Sequence, residues 1–417
     1  MIPVATPALE EAPSTEGAAR PTEASFAFPS FPAAIAPAVA PAVVDLFAGA
    51  GGLSYGLSMA GLHVAGAVEV HPHAALTFQR NHPGSPILVK DIAAVTAPEL
   101  KAIAESSSGR AKRRGRLDCV VGGPPCQGFS FAGHKKRSDA RNSLPFEFVR
   151  LVRQLQPSLF VLENVYGLVK LYKGEVFREL LGELQAIPGY QVSHEVLAAE
   201  EYGVPSMRRR VLVVGTKRGS AFQFPEPTHS GPGGSEQQLL AEGRLPWVTA
   251  SEALSDLDFL TEPGSSAERY ELPPQNEYQR WARGGSTHPH NHESTAHSER
   301  VRSVFSRIPP GSGPEALPPD LRSKKDGLLR MHPDRLCRAI LSAPEDLIHY
   351  SQDRIPTVRE QARLQSFPDA FVFMGQRTSG NQNRRNGYCS QTQQVGNSVP
   401  PLLAYALGRA IRAHLED

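Results

Sequence analysis

One thiol in this 417-residue chain stands apart from the other three: Cys126, in Gly122-Gly-Pro-Pro-Cys-Gln-Gly-Phe-Ser130. Glycines and prolines keep such a stretch out of a helix, and a polar, partly exposed loop is where a thiol can act as a nucleophile. Free cysteines are more often small buried hydrophobes, the role expected for Cys119 inside the apolar run 117–122. A carboxylate ends the next apolar run, in Glu163-Asn164-Val165. It can cap a helix, or hydrogen-bond or protonate a ring nitrogen beside the thiol. Arg208 and Arg210, in Val204-Pro-Ser-Met-Arg-Arg-Arg210, are assigned different directions, one facing a substrate and one bracing the fold. Upstream, Asp45-Leu-Phe47-Ala48-Gly49-Ala-Gly51-Gly52 allows tight turning and close approach of a ligand to a helix N-terminus. Glu69 and Asp91 end two further apolar runs, where a doubly wound sheet presents acids to ribose hydroxyls and an adenine-like ring. An acid at position 69 serves nucleoside cofactors in general, a nicotinamide dinucleotide among them.

These groups need a frame. Short apolar runs at 41–47, 62–69, 86–91, 117–122, 158–163 and 210–215 read as buried strands. Helical spacing appears at 71–81, 146–156, 357–365 and 399–414. Strands alternating with helices predict an α/β fold with a doubly wound, mostly parallel sheet. Residues 1–40 are rich in Ala, Pro, Glu and Ser and are expected to form a disordered tail. The frame itself occupies 41–215. Between 216 and 330 Pro, Gly, Ser and His dominate, which predicts a smaller second domain with long loops, and 331–417 returns to complete the frame.

Composition narrows the class. A net charge of +2 and a pI near 8.3 are too weak to imply nucleic acid. Two local clusters are basic, Arg110, Lys112, Arg113, Arg114 and Arg116, then His134, Lys135, Lys136 and Arg137, and each alone reads as a solvated loop. The four cysteines show no paired spacing, which argues against disulfides or a zinc site and fits a reducing compartment. His288, His290, His292 and His297 read as solvated loop histidines, so no metal is expected. No apolar stretch of about 18 residues suggests a membrane span, and the N-terminal segment lacks the basic start of a signal peptide.

Taken in order, the motifs resemble the cytosine-5 DNA methyltransferase family, of bacterial type, across about residues 42 to 412. The resemblance implies an S-adenosylmethionine-dependent methyltransferase fold. It implies cofactor contacts from Phe47, Ala48, Gly49, Gly51, Gly52, Glu69, Asp91, Pro125, Asn397 and Ser398. Gly123-Pro-Pro-Cys126-Gln is similar to the catalytic motif, Asp139-Ala-Arg141-Asn142 to the end of a mobile catalytic loop, and Glu163-Asn-Val to a family signature. Thr357-Val-Arg359-Glu360 through Pro368-Asp369, and Gln394-Val-Gly396-Asn397-Ser-Val-Pro400, match the last two motifs. By the same resemblance, 41–215 is catalytic and cofactor-binding, and 216–330 is a target recognition domain. Cys126, Glu163, Arg208 and Arg210 are then catalytic, while Ser130, Lys135, Lys136, Arg137 and Arg141 meet double-stranded DNA. The implied product of the cofactor is S-adenosylhomocysteine, and the implied setting is a monomer acting on DNA in a bacterial cytoplasm. One position departs from the family pattern: where Gln-x-Arg-x-Arg is usual, this chain has Ser206. An RNA cytosine-5 methyltransferase, a catalytically silent DNA-binding relative and, further off, a dinucleotide oxidoreductase are the competing readings.

Overall fold

The computed structural model describes residues 28, 29, 31, 40–107, 117–125, 143–217, 221–231, 242–322, 327–342, 346–378 and 389–416, apart from the side chains of 171 and 172. Seven strands form the central sheet: β1 (Ala42–Leu46), β2 (His63–Glu69), β3 (Ile87–Val89), β4 (Cys119–Gly122), β5 (Leu159–Val165), β6 (Tyr190–Ala198) and β7 (Arg209–Lys217). Their order is β3-β2-β1-β4-β5-β7-β6. All pairs from β3 to β5 are parallel, and β7 runs antiparallel to both β5 and β6. The expected doubly wound, mostly parallel sheet is therefore present.

Helices α1 (Gly52–Met59), α2 (Pro72–Asn81), α3 (Ala97–Ser107), α4 (Leu144–Leu155) and α5 (Glu175–Gln185) connect the strands. Successive strand residues feed opposite faces, as the pleat requires. Val43, Val121, Val161 and Leu212 join one core, while Val44, Val120, Phe160 and Val211 join the other. Burial on both faces is why these strands read as continuous apolar runs.

The first core also takes in Val248, Ala250, Leu254, Tyr278 and Trp281 from the loop-like region. Among the described residues three short α-helices lie there, α6 (Ala250–Leu254), α7 (Glu277–Arg283) and α8 (Glu299–Phe305). Their N-caps are Thr249, Asn276 and Ser298, each accepting from a backbone N–H. Helices this short show little apolar period, so composition alone read them as loops. A separate small cluster joins Phe305, Ile308, Leu317 and Leu328 to Ile348 and Ile355. Helices α9 (Val358–Leu364), α10 (Gln391–Asn397) and α11 (Pro401–Glu416) then return to the sheet, with α11 packed on α1 through Gly56 and Gly408.

The tail expectation does not hold for Phe28, Pro29 and Phe31. Both rings stack on Trp281, at 5.3 and 5.8 Å between centroids, and Trp281 Nε1 donates to the Pro29 carbonyl (2.9 Å).

Candidate active site

The strand order reverses between β1 and β4, so the carboxyl ends of these strands frame the crevice where such sheets bind ligands. After β1 the chain turns sharply: Phe47, Gly49 and Gly51 all have positive φ, at 66°, 56° and 94°. Phe47 is not glycine, so its left-handed backbone is strained and must be held by its surroundings. A Cβ on Gly51 would lie 2.4 Å from His82 Nε2, and one on Gly52 would lie 2.4 Å from the Val399 carbonyl. The turn is thus pressed between α2 and the segment that carries Asn397 and Ser398. His82 Nε2 donates to the Gly51 carbonyl (3.1 Å), and burial pulls its pKa down to about 4, so the ring braces the turn uncharged.

Glu69 ends β2 buried beside this turn. Its Oε2 accepts from the Gly49 N–H (2.8 Å) and its Oε1 from the His71 N–H (2.7 Å). Each oxygen keeps a second lone pair for a ligand hydroxyl. Val70 and Val89 flank it, each 51% exposed, and give an apolar surface next to a buried acid. Asp91 lies two residues beyond the Glu69–Val89 pair, exposed, and accepts from the Ala93 N–H. Asn397 is exposed, and Ser398 Oγ donates to the Gln394 carbonyl (2.6 Å).

Gly122 pairs with Leu162, which sets the residues after β4 against Glu163. A Cβ on Gly123 would come within 2.7 Å of Glu163 Oε2, and Asn164 Nδ2 donates to the Pro124 carbonyl (3.0 Å). The Gly-Pro-Pro segment therefore starts its loop on the Glu163-Asn164 pair, with Pro125 half-buried as the last described residue. Cys126, Ser130, Lys135, Lys136, Arg137 and Arg141 lie outside the described residues. The three described cysteines are free, and burial pushes all of their thiols up, Cys337 and Cys389 to about 12.

Arg210 Nε sits 2.6 Å from Glu163 Oε1, with both side chains nearly enclosed. Arg208 turns elsewhere, donating to the carbonyls of Ile340 (3.1 Å) and Gly396 (2.9 Å). The two arginines do diverge, although residues two apart on one strand share a face. β7 begins at Arg209, so Arg208 precedes the ladder. Burial pulls both guanidinium pKa values down, and the nearby Arg210 charge adds to the effect on Arg208.

Asp45, at the end of β1, is also buried. Its Oδ2 accepts from Ser54 Oγ (2.6 Å), and its Oδ1 has no hydrogen-bond partner among the described residues. Burial pushes its pKa up to about 7; Ser54 opposes this, and the Glu69 and Glu163 charges add to it. Three carboxylates thus share one crevice. Between the unfolded value near 3.8 and the folded value near 7, the folded chain holds more protons, so stability falls as pH rises through that window. An Asp45→Asn variant lacks this loss, which for full burial is bounded by about 4 kcal/mol at ~1.4 kcal/mol per pH unit. Its melting temperature is expected to gain on the parent's from about pH 4 to pH 7, read by calorimetry. A gap that stays constant with pH would contradict a buried Asp45.

His292 corrects one expectation. It is buried, with Nδ1 against Thr357 Oγ1 (2.9 Å) and Nε2 donating to the Leu257 carbonyl (3.1 Å), and so braces α9. His288 and His290 are exposed, while His297 is half-buried and accepts from the Ile355 N–H. Sequence reasoning gave no part to His82, nor a partner to Asn164. Only their neighbours in space reveal those roles.

The family profile described as "C-5 cytosine-specific DNA methylase" matches residues 42–413. The Type II methyltransferase M.DdeI of Desulfomicrobium norvegicum is 33% identical over 395 residues, covering 90% of this chain and 89% of that one. The Type II methyltransferase M1.HphI of Haemophilus parahaemolyticus is 34% identical over 376 residues, covering 88% and 86%. Among solved structures, one described as a prophage-encoded DNA modification methyltransferase (E. coli) superposes with a TM-score of 0.69 at 24% identity, covering 91% of this chain and all of that one, a likeness of fold.

Proposed function

The chain belongs to the C-5 cytosine-specific DNA methylase family and is a DNA cytosine-5 methyltransferase, and from that premise we propose that it methylates a flipped-out cytosine in a specific duplex sequence, using S-adenosylmethionine and a covalent Cys126 adduct. The observation that carries this reading is the joining of the Gly-Pro-Pro segment to Glu163 and Arg210 at the same sheet edge as the glycine turn.

The crevice fits the cofactor. Glu69 is positioned for ribose hydroxyls, Val70 and Val89 offer an apolar face to a purine, and Phe47, Ala48, Gly49, Gly51, Gly52, Asp91, Pro125, Asn397 and Ser398 would complete the site. With Glu163 already paired to Arg210 and Asp45 pushed up to about 7 by burial, Glu69 is the acid left to favour a ligand with positive charge over a pyrophosphate. That balance favours a sulfonium cofactor over a dinucleotide. When bound, S-adenosylmethionine supplies an electrophilic methyl group and leaves as S-adenosylhomocysteine.

The protein's task is to make cytosine carbon 5 nucleophilic. The Cys126 thiolate adds to carbon 6, forming a C–S bond and driving the ring electrons toward carbon 5. Glu163 hydrogen-bonds or protonates ring nitrogen 3 to draw off that charge, and Arg210 holds the exocyclic oxygen. After methylation a base removes the carbon 5 proton, its electron pair restores the 5,6 double bond, and the C–S bond breaks to release thiolate. None of these groups can reach a stacked base, so the cytosine must leave the duplex. Ser130, Lys135, Lys136, Arg137 and Arg141 are assigned to DNA, largely to phosphates. Residues 216–330 are assigned to target recognition, between a catalytic part at 41–215 and a completing segment at 331–417.

The relatives' Type II names support a role as the modifying half of a restriction–modification pair, and we propose that the chain works as a monomer in a bacterial cytoplasm. Among the described residues no helix is long and apolar enough to cross a membrane. Sequencing 5-methylcytosine in DNA from cells expressing the chain should return one short recurring sequence, absent from control cells. Unmodified DNA, or methylation confined to RNA, would overturn the reading.

A further inference from the structure

Ser206 occupies the position where the family pattern has glutamine, and the structure gives it a distinct task. It is fully buried, and its Oγ donates to the Leu364 carbonyl (2.7 Å) at the end of α9. Its backbone forms a parallel bridge with Cys337: the Cys337 N–H donates to the Pro205 carbonyl (3.0 Å), and the Met207 N–H donates to the Cys337 carbonyl (2.9 Å). The next residue continues the pattern. The Arg208 N–H donates to the buried Glu200 carboxylate (2.9 Å), and its guanidinium reaches the Ile340 and Gly396 carbonyls. Gly396 in turn has no room for a Cβ, which would lie 2.4 Å from the Leu341 carbonyl.

The turn 205–208 is therefore tied to α9, to the strap 337–341 and to the end of α10. Two residues beyond it stands Arg210, whose Nε meets Glu163. We propose that Ser206 is a positioning residue: through this tied turn it fixes Arg208 and Arg210, and so the placement of Arg210 against Glu163 and the target cytosine. A short side chain is part of the design. Glutamine adds three heavy atoms at a site with no exposed surface, flanked by the buried Cys337, so it would push the strap or α9 away. The inference rests on Arg210 and Glu163 being the base-facing pair.

The test measures kcat, both KM values and thermal stability for Ser206→Ala and Ser206→Gln on target duplex, with rates normalised to the folded fraction. Removing the hydroxyl is expected to lower kcat about 10-fold, the scale of a small misplacement at a reacting centre, while KM for S-adenosylmethionine stays within about twofold. Ser206→Gln should fall further, and where it does not fold the alanine variant decides. An alanine variant with parental kcat, a glutamine variant as active as the parent, or kcat and cofactor KM worsening together would each overturn the proposal. A Glu163→Gln control run alongside separates the two ideas. If that variant keeps the parental rate, the base-facing assignment itself fails.

Discussion

A Cys126→Ser enzyme is expected to lose methyl transfer by at least about three orders of magnitude while still folding and binding DNA. Serine keeps nearly the same shape, but its hydroxyl does not ionise near neutral pH and is a far weaker nucleophile than a thiolate. The other cysteines offer no substitute: burial pushes the thiols of Cys119, Cys337 and Cys389 up. The described residues just before it point the same way, because Gly123 lies against Glu163 and Asn164 donates to the Pro124 carbonyl, two residues short of Cys126. Two measurements bear on it. Methyl incorporation into target duplex tests the rate. A duplex with 5-fluorocytosine at the target tests the bond, since fluorine cannot leave as a proton does and the adduct should survive denaturing electrophoresis. Parent enzyme should form that adduct and the serine variant should not. A serine variant that methylates like the parent would remove the covalent step altogether.

Much of this site was legible in the sequence because parallel strands buried on both faces appear as unbroken apolar runs. The residues just past those runs, Glu69, Gly123 and Glu163, fall at the sheet's ligand edge by topology alone. What the sequence hid has physical causes. β6 (Tyr190–Ala198) lies at the sheet edge with all but one of its nine residues exposed or partly so, and its polar residues break any apolar run. Strand direction leaves no mark in composition, so the antiparallel insertion of β7 between β5 and β6 was invisible. Buried polar residues such as Arg359, Arg363 and His292 look like surface residues until their partners are known. Arg363, for example, is fully enclosed between Asp256 and Asp369. Phe28 and Phe31 sit in a stretch of tail-like composition, and partners some 250 positions away, Trp281 and Tyr278 among them, give them a place.

The Glu163–Arg210 pair allows stability and catalysis to be separated. Replacing Arg210 alone by methionine leaves the Glu163 carboxylate buried without its partner, which costs about 3–5 kcal/mol of stability. Replacing Glu163 alone by glutamine strands the guanidinium in the same way. The double variant Glu163→Gln/Arg210→Met removes both charges together, so much of the lost stability should return, as it often does when a buried ion pair is exchanged for neutral groups. Activity should not return. Each single change removes a group that the proposed mechanism assigns to the cytosine ring, with an expected loss of about 10²–10³ in kcat, the scale of one lost electrostatic donor in a closed site. Arg210→Lys should fare poorly too, because a flexible ammonium cannot reproduce the planar fork that meets Glu163 through Nε. Denaturant unfolding and single-turnover methylation on the same preparations give both halves of the comparison. If the double variant regained rate along with stability, the pair would be a brace for the strands that carry it, and the base-facing role would pass to other residues of the crevice.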